Sequence, residues 1–241
     1  MKTIIYRADT RGYANHGWLK SHHTFSFANY YNPDRVNFGL LRVVNDDIVA
    51  PSMGFGTHPH KDMEIVSIPL KGELSHKDSM NNIHTISTGE VQVMTAGTGI
   101  THSEYNGSNV NEVAFLQIWV FPRQNGLKPS YSQRLFNYFE QKNRLTTVVS
   151  PDGYSDSLII QQDAWFNIGN FNSNYEFSYM PQKENNGLFV MVIEGEFDIE
   201  AVTLYSKDAI GLSSISGKIS IKAKKDNSKL LIIDLPMHLK E

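Results

Sequence analysis

FGTHPHKDMEIVSIPLKGEL (55–74) opens with two histidines one residue apart and runs into a strand-like segment dominated by branched residues. On an extended strand alternate side chains share a face, so His58 and His60 point their imidazoles the same way. One metal ion could bridge them. Further on, ITHSEYN (100–106) repeats the spacing with His102 and Glu104, after the glycine-bearing turn AGTGI (96–100). Two neighbouring strands of a barrel could therefore supply four inward ligands, three imidazoles and a carboxylate, a set that suits Fe, Mn, Co, Ni, Cu or Zn.

Working outward, the same kind of run recurs at EVQVM (90–94), EVAFLQIWVF (112–121), GLFVMVIEG (187–195) and KLLIIDLP (229–236), with Gly, Asn, Asp and Ser clusters between them. Many short strands with turn signals predict an all-β chain of sandwich or barrel type. The segment YSQRLFNYFEQKN (131–143) is the one place where a helix is expected. IPLKGEL (68–74) resembles VIEGEF (192–197), and WVFP (119–122) resembles IDLP (233–236), as two copies of one barrel unit would. The polar stretch FPRQNGLKPSYSQ (121–133) then joins them, with an N-terminal metal-binding domain at 1–130 and a C-terminal domain lacking the ligands at 131–241.

Composition narrows the chemistry. The chain has 241 residues, no cysteine and a formal net charge of −3, so it offers no disulfide, no thiolate ligand and no overall basic character. Nucleic acid is not an expected partner. Neither a signal segment nor a membrane-spanning run is evident, so a soluble, cytoplasmic product is expected. Eight of the nine histidines lie within the first 102 residues, which places the histidine chemistry in the N-terminal half.

The motif His58, His60 and Glu64, with Gly72 after the strand, followed by Gly89, Gly97, His102 and Asn106, resembles the two-part cupin signature. Ser52 and Thr95 depart from it, standing where cupins at large usually carry Gly and Pro. HGWLKSHHTFSFANYYNP (16–33), FGTHPHKDMEI (55–65), MTAGTGITHSEYN (94–106) and LQIWVFP (116–122) together resemble the pirin family, especially bacterial members with flavonol-dioxygenase activity. That resemblance implies a bicupin fold of two jelly-roll barrels with few short helices. It implies one divalent metal, Fe(II) first and Mn, Ni, Co, Cu or Zn as alternatives, held by His58, His60, His102 and Glu104. Glu64 occupies the usual cupin ligand position and is the rival to Glu104 as fourth ligand and base. In the second half the corresponding positions fall near Pro181 and Lys183, so that barrel is expected to be metal-free, to cover one side of the first barrel and to bury sheet edges.

The resemblance also implies a reaction. A flavonol such as quercetin would give up its 3-hydroxyl proton to Glu104 and be opened by O₂ with loss of carbon monoxide. A flat aromatic substrate calls for a largely apolar pocket, with Phe25, Phe27, Phe55, Met94 and Gln117 as lining candidates. His22 and His23 read as hydrogen-bonded structural residues. The alternative is a metal-binding regulatory pirin that works through a protein partner without turnover; its basic surface would have to come from KAKKDNSK (222–229). A monomer is expected, since two fused barrels supply the packing that single cupins obtain by dimerising.

Overall fold

The computed structural model describes residues 1–239 as twenty-two strands and two short 3₁₀ helices. The first barrel uses β2 (Gly12–Asn15), β3 (Leu19–His23), β4 (Leu41–Val49), β5 (Gly54–His60), β6 (Glu64–Lys71), β7 (Glu73–Asp78), β8 (Ile83–Ser87), β9 (Glu90–Thr95), β10 (Ile100–Asn106), β11 (Val113–Val120) and β12 (Ser130–Leu135). The second uses β13 (Arg144–Ser150), β14 (Leu158–Ile159), β15 (Trp165–Phe171), β16 (Glu176–Tyr179), β17 (Asn186–Glu194), β18 (Glu196–Ile199), β19 (Val202–Tyr205), β20 (Ala209–Ser213), β21 (Ile219–Ala223) and β22 (Ser228–Pro236), together with β1 (Lys2–Tyr6) from the start of the chain. Each barrel pairs a seven-stranded with a four-stranded sheet: β12-β9-β6-β11-β4-β3-β2 with β5-β10-β7-β8, and β1-β20-β17-β22-β15-β13-β14 with β16-β21-β18-β19. The architecture is the two-barrel, all-β one that the resemblance implies.

Strand alternation explains the long apolar runs. On β11 Leu116, Ile118 and Val120 belong to the large core that also takes Phe189 and Met191 of β17 and Leu231, Ile233 and Leu235 of β22. The intervening Leu188, Val190, Val192, Leu230 and Ile232 fill the inside of the second barrel. Both faces of these strands are buried, so the hydrophobicity does not alternate. The second barrel thus covers the face of the seven-stranded sheet in the first. The opposite face of β11 behaves differently, because Gln117 and Trp119 look into the first barrel and line its cavity.

The repeat seen in the sequence has a physical counterpart. Gly72 between β6 and β7 and Gly195 between β17 and β18 both have positive φ, at 76° and 88°, where each barrel passes from its large sheet to its small one. A Cβ at Gly195 would lie 2.2 Å from Ser228 Oγ, and one at Gly72 2.9 Å from the Glu112 carbonyl, so these turns need glycine twice over.

Two features differ from expectation. Residues 131–143 form no helix: Ser130–Leu135 completes the ladder along β9, and Asn137 and Asn143 adopt positive φ on either side of the buried Tyr138. An available strand edge outweighs the helix-like spacing of Tyr131, Leu135 and Phe136. Pairing also crosses the division drawn near residue 130, since β1 joins β20 of the second barrel while β12 joins β9 of the first.

Candidate metal centre

Antiparallel pairing of β10 with β5 sets His102 opposite His58 and Ile100 opposite His60. Along β10 burial alternates, with Ile100, His102, Glu104 and Asn106 inward and Thr101 and Tyr105 outward. The outcome is three imidazoles meeting nitrogen to nitrogen: His102 Nε2 is 3.0 Å from both His58 Nε2 and His60 Nε2. His58 donates from Nδ1 to the Gly56 carbonyl at 2.8 Å, which leaves its Nε2 lone pair facing the other two rings. Burial, reinforced by His58, pushes His60 down to about 4, and His102 is pushed lower still by the same causes. Imidazole nitrogens that converge at this distance need a shared cation or proton between them, so the donor set fits a divalent metal.

Glu104 stands beside this triad, grouped more tightly with His102 and His76 than with His58 and His60. Burial, and secondarily the nearby Asp47, raises its carboxyl to about 7. It is held by a chain of donors from across the large sheet. Gln92 Nε2 donates to Ser67 Oγ at 3.3 Å, Ser67 Oγ donates to Gln117 Oε1 at 2.8 Å, and Gln117 Nε2 donates to Glu104 Oε2 at 2.7 Å. Every proton points toward the carboxylate. Oε1 keeps only a 3.4 Å contact with Ser67 and is the oxygen left for a ligand bond or a proton. The register explains the chain: Asn45, Gln117, Ser67 and Gln92 sit opposite one another on β4, β11, β6 and β9, forming one polar row inside the barrel.

Glu64 is built for another role. Its Oε2 accepts from Thr95 Oγ1 at 2.9 Å and from the Gln161 backbone N–H at 3.0 Å, across the boundary to the second barrel. Thr95 can donate there, as the proline usual in cupins could not. The carboxyl is fully buried, with Oε1 unpartnered, and burial raises it to about 7.

His76 is a residue that the sequence reading did not single out. It is buried on β7, its Nδ1 lies 3.4 Å from His102 Nδ1, and its Nε2 lies 3.3 Å from Asp78 Oδ2. Asp78 is itself fixed by the backbone N–H groups of Met80 and Asn82 and by the Asn82 amide. With His102 Nε2 turned to the triad, this line orients its ring from behind. Only the β10–β7 register, which sets Glu104 opposite His76, could have pointed to it.

His58, His60 and Glu104 open into a cavity of about 600 Å³. Phe27, Phe55 and Gln117 line it together with Trp18, Tyr30 and Trp119. Trp18 meets Phe55 edge to face at 5.3 Å, and Phe27 meets Trp119 at 5.4 Å. Two lining candidates lie elsewhere. Phe25 packs on Tyr6 and Phe189 between the barrels, and Met94 packs with Ile65, Ala96 and Ile100 behind Trp119. Of the paired histidines, His23 lines the cavity and bonds Asn45 at 2.9 Å, while His22 lies against Tyr13. The second barrel has an apolar interior where the first has this site, its Phe171, Phe197 and Ile221 being buried in one cluster.

The chain is similar to known proteins in sequence and fold. The family profile described as Pirin matches residues 6–120, and that of the quercetinase C-terminal cupin domain matches residues 147–235. A protein named quercetin 2,3-dioxygenase from Escherichia coli strain K12 is 42% identical over 239 residues, which is 97% of this chain and 99% of that one. The pirin-like protein of Caulobacter vibrioides is 36% identical over 94% of this chain and 96% of its own length. The crystal structure of the bacterial pirin YhhW from Escherichia coli in complex with nickel(II) superposes with a TM-score of 0.92 at 40% identity, covering 98% of this chain and 99% of that one.

Proposed function

This chain belongs to the pirin family, with the bicupin fold, and we propose that it is a metal-dependent dioxygenase that opens the ring of a flavonol of the quercetin type. The observation that carries this reading is the meeting of three imidazole Nε2 atoms beside a buried carboxylate at an aromatic-walled cavity. His58, His60, His102 and Glu104 would hold one divalent ion, with Fe(II) as the physiological metal and Mn, Ni, Co, Cu or Zn able to occupy the same donors. Glu104 is preferred to Glu64 because its carboxylate groups with His102 among possible ligand atoms, whereas Glu64 belongs to no such group among the described residues.

When bound, the metal supplies Lewis acidity toward a coordinating hydroxyl and the redox capacity that O₂ chemistry requires. The chain supplies the rest. Glu104 Oε1, the oxygen that Gln117 leaves free, would take the proton of the substrate's 3-hydroxyl. Gln117 and Ser67 keep that carboxylate aimed while its charge changes. Trp18 with Phe55 and Phe27 with Trp119 provide flat apolar walls that grip a planar ring system and keep water from the reacting face.

The proposed division keeps the ligands in the first barrel, with β1 and β12 exchanged, and the protein is proposed to act in the cytoplasm as a monomer. Among the described residues no helix is long and apolar enough to cross a membrane. The regulatory alternative has less support, because Lys224, Lys225 and Lys229 of the basic run pair with Asp198, Glu196 and Glu194. The test is O₂ uptake by anaerobically purified, iron-loaded protein given quercetin. Stoichiometric uptake that His58→Ala abolishes supports the enzyme; loaded protein that leaves quercetin intact rules it out.

A further inference from the structure

Consecutive aspartates on β4 have opposite surroundings. Asp46 is paired with Arg11 Nη1 at 3.3 Å and with Lys207 Nζ at 3.0 Å, tying the first barrel to the second. Asp47 faces the other way, lines the cavity, and is 3% exposed. Its only side-chain hydrogen-bond donor among the described residues is Ser21, opposite it on β3, and no cation pairs with it. Burial, and secondarily Asp46, raises its carboxyl to about 7, and the cavity's other carboxylate, Glu104, offers it no counter-charge, so Asp47 is expensive to keep charged without a further donor.

The neighbouring pair on the same strands completes the patch. His23 sits opposite Asn45, and because an amide oxygen cannot donate, His23 Nδ1 carries the proton of their 2.9 Å bond. Its Nε2 is then an acceptor while the ring is neutral, and burial lowers the tendency of that ring to take up a proton. This wall therefore presents acceptors, Asp47 above all, with the Ser21 proton already spent on Asp47. Acceptors buried in an apolar cavity select a ligand that brings its own donors.

We infer that Asp47, backed by Ser21 and His23, is a hydroxyl-recognising subsite that accepts a hydrogen bond from a phenolic hydroxyl other than the one that meets the metal centre. The inference rests on the flavonol reading of that centre and narrows the substrate class to planar aromatics carrying further hydroxyls. Simple 3-hydroxyflavone offers the reacting group alone and leaves Asp47 unpaired; quercetin supplies additional donors.

Metal-loaded protein is titrated anaerobically, so that no turnover intervenes, with quercetin and with 3-hydroxyflavone, following quenching of tryptophan fluorescence. With the titrations run at about pH 8, above the value of about 7 to which burial raises Asp47, its carboxylate is charged, and a hydrogen bond to a charged group predicts that wild type prefers quercetin by about ten- to a hundredfold, and that Asp47→Asn reduces this ratio by about tenfold or more. A wild-type ratio near one overturns the inference whether or not the variant folds. So does a folded Asp47→Asn protein with an unchanged ratio. Steady-state O₂ uptake on the same samples separates the two readings: quercetin turned over with no role for Asp47 removes only the subsite, whereas quercetin neither bound nor consumed removes the flavonol reading and the subsite together.

Discussion

Replacing Gln117 by leucine removes the last donor in the chain that ends on Glu104, and its effect can be worked out from the contacts. Gln117 is 8% exposed, donates to Glu104 Oε2 at 2.7 Å and accepts from Ser67 at 2.8 Å. Loss of a hydrogen bond to a charged group costs about 1.5–3 kcal/mol, and groups that orient metal ligands typically account for about ten- to a hundredfold in affinity. Ser67 moderates the loss. Freed of Gln117, its hydroxyl can turn to Glu104 Oε1, already 3.4 Å away. Gln117→Leu should therefore weaken metal binding by about tenfold, and Ser67→Ala combined with Gln117→Leu by about a hundredfold. Affinity is read by competition with a chromophoric chelator at fixed pH. If both proteins keep the wild-type melting temperature and bind metal within twofold of wild type, Glu104 is not positioned by this chain and its place at the centre is in doubt.

Glu64 gives a pH test remote from the metal. Its folded-state pKa of about 7 lies above the ordinary 4.5, so the stability it contributes is fully present below pH 4.5 and is lost as pH rises through 7. Glu64→Gln has no such proton to lose, and its stability relative to wild type should rise by about 2–3 kcal/mol between pH 5 and pH 8 in denaturant titrations; a difference independent of pH would contradict the burial argument. A Cβ at Gly54 would fall 2.3 Å from the Glu104 carbonyl and 2.5 Å from Tyr105 Cα. Gly54→Ala should cost about 1–3 kcal/mol by overpacking and shift β10 enough to weaken metal binding, whereas an unchanged melting temperature would show that β5 yields freely. Phe189→Ala, which empties the packing of Tyr6, Phe25 and Phe38 between the barrels, should cost about 3–5 kcal/mol. Its metal stoichiometry should stay at one, because the triad lies inside the first barrel.

The triad was legible because i, i+2 spacing on a strand settles a shared face without knowledge of the partner strand. His58 and His60 on β5 and His102 with Glu104 on β10 needed nothing more than that. The polar row was not legible, because Gln117, Ser67 and Gln92 lie on three strands and meet only through the register. Parity was also hidden wherever both faces of a strand are buried. In EVAFLQIWVF nothing in the hydrophobic pattern says that Leu116 packs between barrels while Gln117 turns inward. Phe25 and Met94 were misplaced for the same reason, being apolar residues with two apolar sides to choose from. Asp46 and Asp47 look alike in sequence, and only the presence of Arg11 and Lys207 on one side tells them apart. Exchange of β1 and β12 left no local mark, since an edge strand carries no record of which sheet it will extend.

Anomalous scattering from crystals of the metal-loaded protein, collected on either side of the metal's absorption edge, tests the coordination claim most directly. The expected map has one peak per chain, about 2.0–2.2 Å from Nε2 of His58, His60 and His102 and from a Glu104 oxygen. A peak bound instead through His76 or Glu64, or a fully loaded crystal with no density among the three imidazoles, would contradict it.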